Sequence, residues 1–312
     1  MRLSVREVFD LSERCFYVAG FAEGPARANA ETIWWTELTK GSGLTLLHGL
    51  LDDLQDFDRK RLTRRGSAAM PVVDGDEQPS IVSGTPSLDL CCSAAQRRGI
   101  GITHTTVDPD DDTAPALGHL AHAAAERGLH SVVLYANHVG DAVTVVGSPD
   151  QPHPHVGETT LPRPSTAHAA VLAAIEADFD DYPDGLLTHA VFDDEGDTRA
   201  ETADERLVTR LLDDATTPAD GRSDVPAGFV TVCLDPTHPA QPRRVERLFR
   251  ERVDAATTVF DPERIGERAD RLLRDGIEID EAVWRDLFEY SSGVLAPEFE
   301  GSYRGAGFEI NE

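Results

Sequence analysis

The sequence predicts an α/β protein, a sheet with helices on its faces and helical segments at both ends. Three observations carry that expectation. Residues 99–136 read strand, helix, strand: 100–107, then 114–127 stopped by Gly128, then 131–136. Parallel neighbours need a crossover helix, so such a unit argues for an α/β sheet rather than a hairpin protein. Further on, Gly228 to Leu234 is a mostly apolar run rich in β-branched residues, which reads as a buried strand closed by Asp235-Pro236. Finally, residues 1–57 read as helical almost throughout.

Taken in order, Ser4 and Glu7 form a capping box ahead of Val8, Leu11, Cys15 and Ala19, and Gly20 ends that helix. A second helix runs from about Pro25 to Leu38 with Ile33, Trp34 and Leu38 inward, and a third follows over 44–57. Residues 58–80 are polar, with Arg59-Lys60-Arg61, Arg64-Arg65 and Asp74-Gly75-Asp76, and read as a loop or linker. After the strand-helix-strand unit come a strand at 142–146, a helix at 167–177, a strand at 186–192, a turn at 193–196, a helix at 203–212 and a loop at 214–227. Beyond the 228–234 strand, Val245, Leu248, Phe249 and Val253 recur at helical spacing. A helix from Pro262 buries Ile265, Ala269, Leu272 and Leu273, and Gly276 stops it. Asp280 then caps a last helix that sets Val283, Trp284, Leu287 and Phe288 on one side. The expected organisation is an N-terminal helical segment (1–57), a polar loop or linker (58–80), a central α/β region (81–227), a C-terminal strand and helices packing back on the N-terminal part (228–290), and a tail (291–312).

At 312 residues with 40% hydrophobic content the chain buries a sizeable core, as one large domain or two lobes. Its 56 acidic residues face 29 basic ones, a net charge of −27, and Lys40 and Lys60 are its only lysines. The charge is spread over helices with regular apolar faces rather than held in one acidic block, which points to solvation in molar salt and so to a halophilic cytoplasm. Nucleic acid is disfavoured, because phosphate binding needs a basic stripe. The longest apolar runs fall far short of a bilayer crossing, and the start of the chain lacks the basic-then-apolar pattern of a signal peptide. Cys15, Cys91, Cys92 and Cys233 lack CxxC spacing and read as buried free thiols of a reducing compartment.

The order over 228–287 is a strand ending Leu-Asp-Pro, an Arg-rich helix, a Pro-Glu-Arg helix start, Asp-Gly-Ile-Glu-Ile-Asp, and a helix with Trp-x-x-Leu. It resembles the C-terminal part of the type 2 malate/L-lactate dehydrogenase family. Ala19-Gly20, the helix 26–38, Lys40-Gly41 and His48-Gly49 resemble that family's opening helices and its Ser-His-Gly catalytic turn more loosely. The tail from Pro297 to Glu312, with parts of 79–90 and 115–135, resembles instead an uncharacterised domain-of-unknown-function family of bacteria and archaea, which has no activity to lend.

The dehydrogenase resemblance implies an NAD(P)-dependent oxidoreductase acting on a small 2-hydroxy or 2-oxo acid, and a homodimer. The chain departs from that pattern at its chemical positions. His48-Gly49 matches the turn, but Leu47 stands where the serine belongs, and the arginine position falls on Leu51 or Asp52, neither of which can clamp a carboxylate. Where a Ser-Asn-His-Phe-Gly motif is expected the chain has Val107-Asp-Pro-Asp-Asp-Asp-Thr113, so the acid-base histidine is missing. That Asp run reads as a solvated loop before it reads as an Mg²⁺ or Ca²⁺ site. No lysine follows Lys60, Gly221 and Gly228 lie too far apart to cradle a pyrophosphate, and Gly99-Ile100-Gly101 precedes a strand instead of following one.

His119 and His122 stand three apart on one helix and invite a zinc site completed by His104 or His138, although packing is the commoner fate of such a pair. His153 and His155 alternate with prolines in a loop. In the tail, Arg304 beside Gly305 and Gly307 offers a guanidinium and open backbone to an anion. The expectation is therefore a diverged cytoplasmic, dimeric dehydrogenase-like chain, its cofactor unidentified, that acts by binding a ligand or partner. The alternative is an active NAD(P)-dependent enzyme on a small 2-oxo acid or cyclic imino acid, with His48 as acid-base group.

Overall fold

A computed structural model describes residues 1–66, 71–76, 78–107, 113–136, 141–160, 228–237, 253–254 and 256–294. The expected elements over 167–212, the loop 214–227, most of the Arg-rich helix after Pro236, and the tail lie outside those residues.

The N-terminal helices form where local signals place them. Helix α1 (Val5–Val18) starts at the Ser4–Glu7 capping box and buries Val8, Leu11, Cys15 and Phe16. Helix α2 (Glu23–Lys40) has buried residues on nearly every side from Asn29 to Thr39 and runs through the middle of the molecule. It is Trp35, 4% exposed, and not Trp34 that sits deepest. Helix α3 (Gly43–Leu50) takes its N-terminal cap from α2, the Glu37 carboxylate accepting the Leu44 amide at 3.3 Å. Burial pushes that carboxyl's pKa up.

Residues 58–80 are not a linker. Strands β2 (Thr63–Gly66) and β3 (Pro71–Asp74) pair antiparallel there and begin an eight-stranded sheet, β1 (Arg2–Leu3) lying elsewhere. Their polarity follows from place: β2 is an edge among the described strands, with Arg64 exposed to solvent, while β3 buries Val72 and Val73. Helix α4 (Ser80–Arg98) follows, burying Leu88, Cys91, Cys92 and Ala95.

The sheet continues with β4 (Ile100–Thr106), β5 (His130–Ala136), β6 (Asp141–Gly147), β7 (His155–Thr160), β8 (Gly228–Leu234) and β9 (Thr258–Phe260), in the order β2-β3-β4-β8-β5-β6-β7-β9. Helix α5 (Gly118–Glu126) crosses between β4 and β5 as the sequence predicts, ending before Gly128 at φ 79°. Yet β4 and β5 are not neighbours. Strand β8 lies between them, antiparallel to both, with Val232 opposite Ile102 on one side and Val132 on the other. Strands β5, β6 and β7 then form antiparallel pairs, so β3–β4 is the parallel pairing among the described strands. The sheet is mixed, with hairpins that the strand-helix-strand reading argued against. His155 opens β7 and is no loop residue.

Helices α4 and α5 cover one face of this sheet, where Cys91, Leu120, Ala121 and Ala124 meet Val133, Tyr135, Val145, Phe229 and Cys233. A second core gathers α1, α2 and α3 with the C-terminal helices. These are α6 (Pro262–Asp275) and α7 (Glu281–Ser291), joined by β10 (Ile277–Glu278), which pairs with β1. Ile265 and Leu287 are buried as expected, but Leu273 is 65% and Phe288 41% exposed, because each lies on the outer flank of its helix's apolar stripe.

Candidate functional site

The carboxyl ends of β3 and β4 and the N-terminus of α4 come together around buried hydroxyls. The Thr106 hydroxyl donates to Asp74 Oδ1 at 3.3 Å and receives the Gly75 amide at 3.2 Å. Gln78, 3% exposed, bonds the Asp58 amide and carbonyl and the Gly75 carbonyl. The Thr113 hydroxyl pairs with Ser80 Oγ at 2.8 Å and accepts the Ile81 amide at 3.2 Å, while Ser87 bonds Thr105. Below them His104, 1% exposed, lies beside Gly228, where an added Cβ would come within 3.0 Å of its Nε2. The segment between Val107 and Thr113, which takes the place of the expected histidine motif, is thus buried at both ends, and its central residues 108–112 lie outside the described part.

Chemically the described part of the cluster sets neutral donors and acceptors around the Asp74 carboxylate. The α4 N-terminus, the natural place for a phosphate, already has its Ile81 amide capped by Thr113. Lys40 is engaged with Glu158 at 3.0 Å.

His48 sits elsewhere, on α3, with Nε2 2.9 Å from Asp286 Oδ2 on α7 and about a third of its side chain exposed. Its partner is 238 residues away, so no local pattern announces it. Asp52, at the expected arginine position, is exposed.

The other histidines are brought together differently from the zinc reading. His119 is buried between α2 and α5, its Nδ1 3.2 Å from the Ala116 carbonyl and both ring nitrogens 3.2 Å from the Thr32 hydroxyl. Burial holds its pKa down to about 4, so the ring is neutral, and the Ala116 bond assigns the proton to Nδ1. His122 lies 3.5 Å from the Glu126 carboxylate and stacks on His153 with ring centroids 6.1 Å apart. His104 belongs to the strand-end cluster, and His138, Arg304, Gly305 and Gly307 lie outside the described residues. Among the described residues no three His, Cys, Asp or Glu side chains are grouped as a metal site. No described helix is long and apolar enough to cross a membrane.

A shallow groove of about 490 Å³ between α1 and α7, lined by Glu7, Asp10, Leu11, Arg14, Trp284 and Phe288, shares no residue with the strand-end cluster.

No protein-family description and no curated protein matches the sequence. Solved structures do. Malate dehydrogenase from Entamoeba histolytica aligns with a TM-score of 0.56 at 13% identity, covering 96% of this chain and 99% of that one. A dehydrogenase from Sinorhizobium meliloti gives 0.57 at 18% identity, covering 93% and 99%. The Δ1-piperideine-2-carboxylate reductase of Pseudomonas syringae gives 0.51 at 16% identity, covering 93% and 99%. The fold is therefore that of the malate/lactate dehydrogenase type, an α/β sheet flanked by helices. At such identities the likeness fixes the scaffold and leaves the reaction to the residues.

Proposed function

We propose that this chain is a diverged member of the 2-hydroxy-acid dehydrogenase scaffold that has lost the standard hydride-transfer site and acts by binding a small ligand or a partner subunit. The observation that carries the reading is the segment after β4. Hydride transfer to a carbonyl needs a proton donor at the reacting oxygen. In the sequence, Asp108-Pro-Asp-Asp-Asp112 stands where the family resemblance leads one to expect the histidine motif, between buried Val107 and Thr113, whose hydroxyl is committed to α4. A run of carboxylates repels both a 2-oxo acid and a dinucleotide phosphate. The spread of acidic charge supports a halophilic cytoplasm as the setting, and the scaffold supports a homodimer.

A second reading rests on the His48–Asp286 pair. A carboxylate 2.9 Å from one ring nitrogen is the arrangement that orients a histidine base, and it leaves Nδ1 for a substrate. In that reading the protein is an NAD(P)-dependent oxidoreductase on a small 2-oxo acid or cyclic imino acid, with His48 as acid-base group and cofactor contacts made outside the described residues.

Thermal unfolding in molar KCl with and without millimolar NADPH or NADH separates the two, since a ligand that binds only the folded state raises its midpoint. The proposal expects no shift and no nucleotide oxidation with pyruvate, oxaloacetate or a piperideine-type imine. Turnover that His48→Ala abolishes without unfolding the protein would establish the second reading instead. Light scattering in the same buffer tests the dimer.

A further inference from the structure

Three of the four cysteines meet at one point of the core. Cys91 and Cys92 lie on α4 where it crosses the sheet, and Cys233 lies on β8 beneath them. The Cys92 and Cys233 sulfurs are 3.8 Å apart. The Cys91 thiol also neighbours Cys233, but is placed to donate to the Gly101 and Thr231 carbonyls at 3.2 and 3.3 Å. Cys15 is remote, against the Leu287 carbonyl, and burial pushes its pKa up to about 12.

The two close sulfurs have unlike surroundings. Cys92 is held below the ordinary thiol range, first because the Cys233 thiol donates to it against the opposing effect of burial, and then through the Arg127 guanidinium. Cys233 is pushed well above that range by the Cys91 and Cys92 sulfurs and by burial. Arg127 also bonds Asp89 at 2.9 Å, and both of those side chains reach solvent, so Cys92 lies one side chain below the surface. A nucleophilic sulfur beside a guanidinium, with a second thiol at bonding approach, is the layout of a redox-sensing pair.

We propose that Cys92 and Cys233 are a reversible oxidation site for hydroperoxides, with Cys92 the attacking sulfur and Cys233 the resolving one. The Cys92 thiolate attacks the outer oxygen of the hydroperoxide. The O–O bond breaks, Cys92 becomes a sulfenic acid, and the departing alkoxide or hydroxide takes a proton from water. Cys233 then attacks the sulfenic sulfur, its thiol proton leaves with the hydroxyl as water, and an S–S bond joins α4 to β8. In sum two thiols are oxidised by two electrons, and one hydroperoxide is reduced to an alcohol, or to water, with a second water released. A thiol reductant reverses the bond by exchange.

The test treats the full reduced chain with hydrogen peroxide in molar KCl, then alkylates and maps it by mass spectrometry. The expected result is one cross-linked peptide, Cys92 with Cys233, and a fall from four free thiols to two. Cys233→Ser should leave Cys92 as a sulfenic acid that dimedone traps. Arg127→Gln should slow the first step several-fold and raise the pH midpoint of Cys92 alkylation, which a purely structural role for Arg127 would not move. A Cys91–Cys92 or Cys91–Cys233 bond, oxidation of Cys15 as fast as Cys92, or retention of all four thiols until the protein unfolds would each overturn the assignment. If the variants fold poorly, the bond map of the unmodified chain decides alone.

Discussion

His119 gives the sharpest quantitative expectation, because its ring is buried and its environment is complete. An unfolded chain titrates this histidine near 6.5, whereas the folded one holds it neutral down to about 4. Between those values the unfolded chain binds a proton that the folded chain does not, so stability is full above 6.5 and falls as pH drops towards 4. At ~1.4 kcal/mol per unit the whole window is worth about 3 kcal/mol, of which about 2 kcal/mol is lost between pH 7 and pH 5. The Glu37 carboxyl, pushed up by burial, contributes with the opposite sign, so a bare pH profile mixes the two. A double difference removes the mixture. Urea unfolding of the wild type and of His119→Gln, at pH 7 and pH 5 in molar KCl, keeps every other group in common, and glutamine can still donate to the Ala116 carbonyl. The wild type should lose about 2 kcal/mol more than the variant between the two pH values. Equal losses would refute the reasoning, since the ring would then protonate in the folded protein as it does in the unfolded one.

Leu120→Ala, at a fully buried side chain between α5 and the sheet, should cost about 2–5 kcal/mol in urea unfolding; a cost below ~1 kcal/mol would mean that the helix is not packed as described. Gly101→Ala places a Cβ 2.0 Å from the Cys91 carbonyl oxygen, which is backbone and cannot rotate aside, so α4 must lift and the melting temperature should drop by more than for a typical surface change. Asp280→Ala removes the carboxylate that accepts the Ala282 amide at 2.7 Å and should cost about 1 kcal/mol, read as a shifted urea midpoint. An unchanged midpoint would place the α7 start elsewhere.

The elements legible in the sequence were those written in local chemistry. The Ser4–Glu7 box, the Asp280 cap and the stop at Gly128 each sit where backbone groups need a partner or a left-handed residue, and each is found there. Helix α4 went unread because Gly84, Pro86 and several serines dilute its pattern, and its buried face is made largely of small residues and thiols. Strands β2 and β3 read as a linker because β2, an edge strand, is selected for charge rather than alternation, and β3 offers only Val72 and Val73 as an apolar pair. The insertion of β8 between β4 and β5 could not be read at all. Its residues satisfy a buried strand in any position, and the choice of neighbours is made by pairing across more than ninety residues.

For the site the same division holds with a different consequence. Departures from the residues of the dehydrogenase pattern were visible in the sequence, since Asp52 and the Asp108–Asp112 run are plain to read. What replaces them was not, because each surviving polar group is defined by a distant partner: His48 by Asp286, His119 by Thr32, Thr113 by Ser80, Cys92 by Cys233. These pairings also sort the groups by chemistry. His119 is satisfied and neutral inside the fold, so it is a packing residue with a pH cost. His48 is at the surface with one nitrogen fixed, and so is the histidine that a binding or turnover experiment should address. The strand-end cluster follows the same rule, Asp74 being held by the Thr106 hydroxyl of the neighbouring strand and the Asp58 backbone by Gln78, twenty residues away.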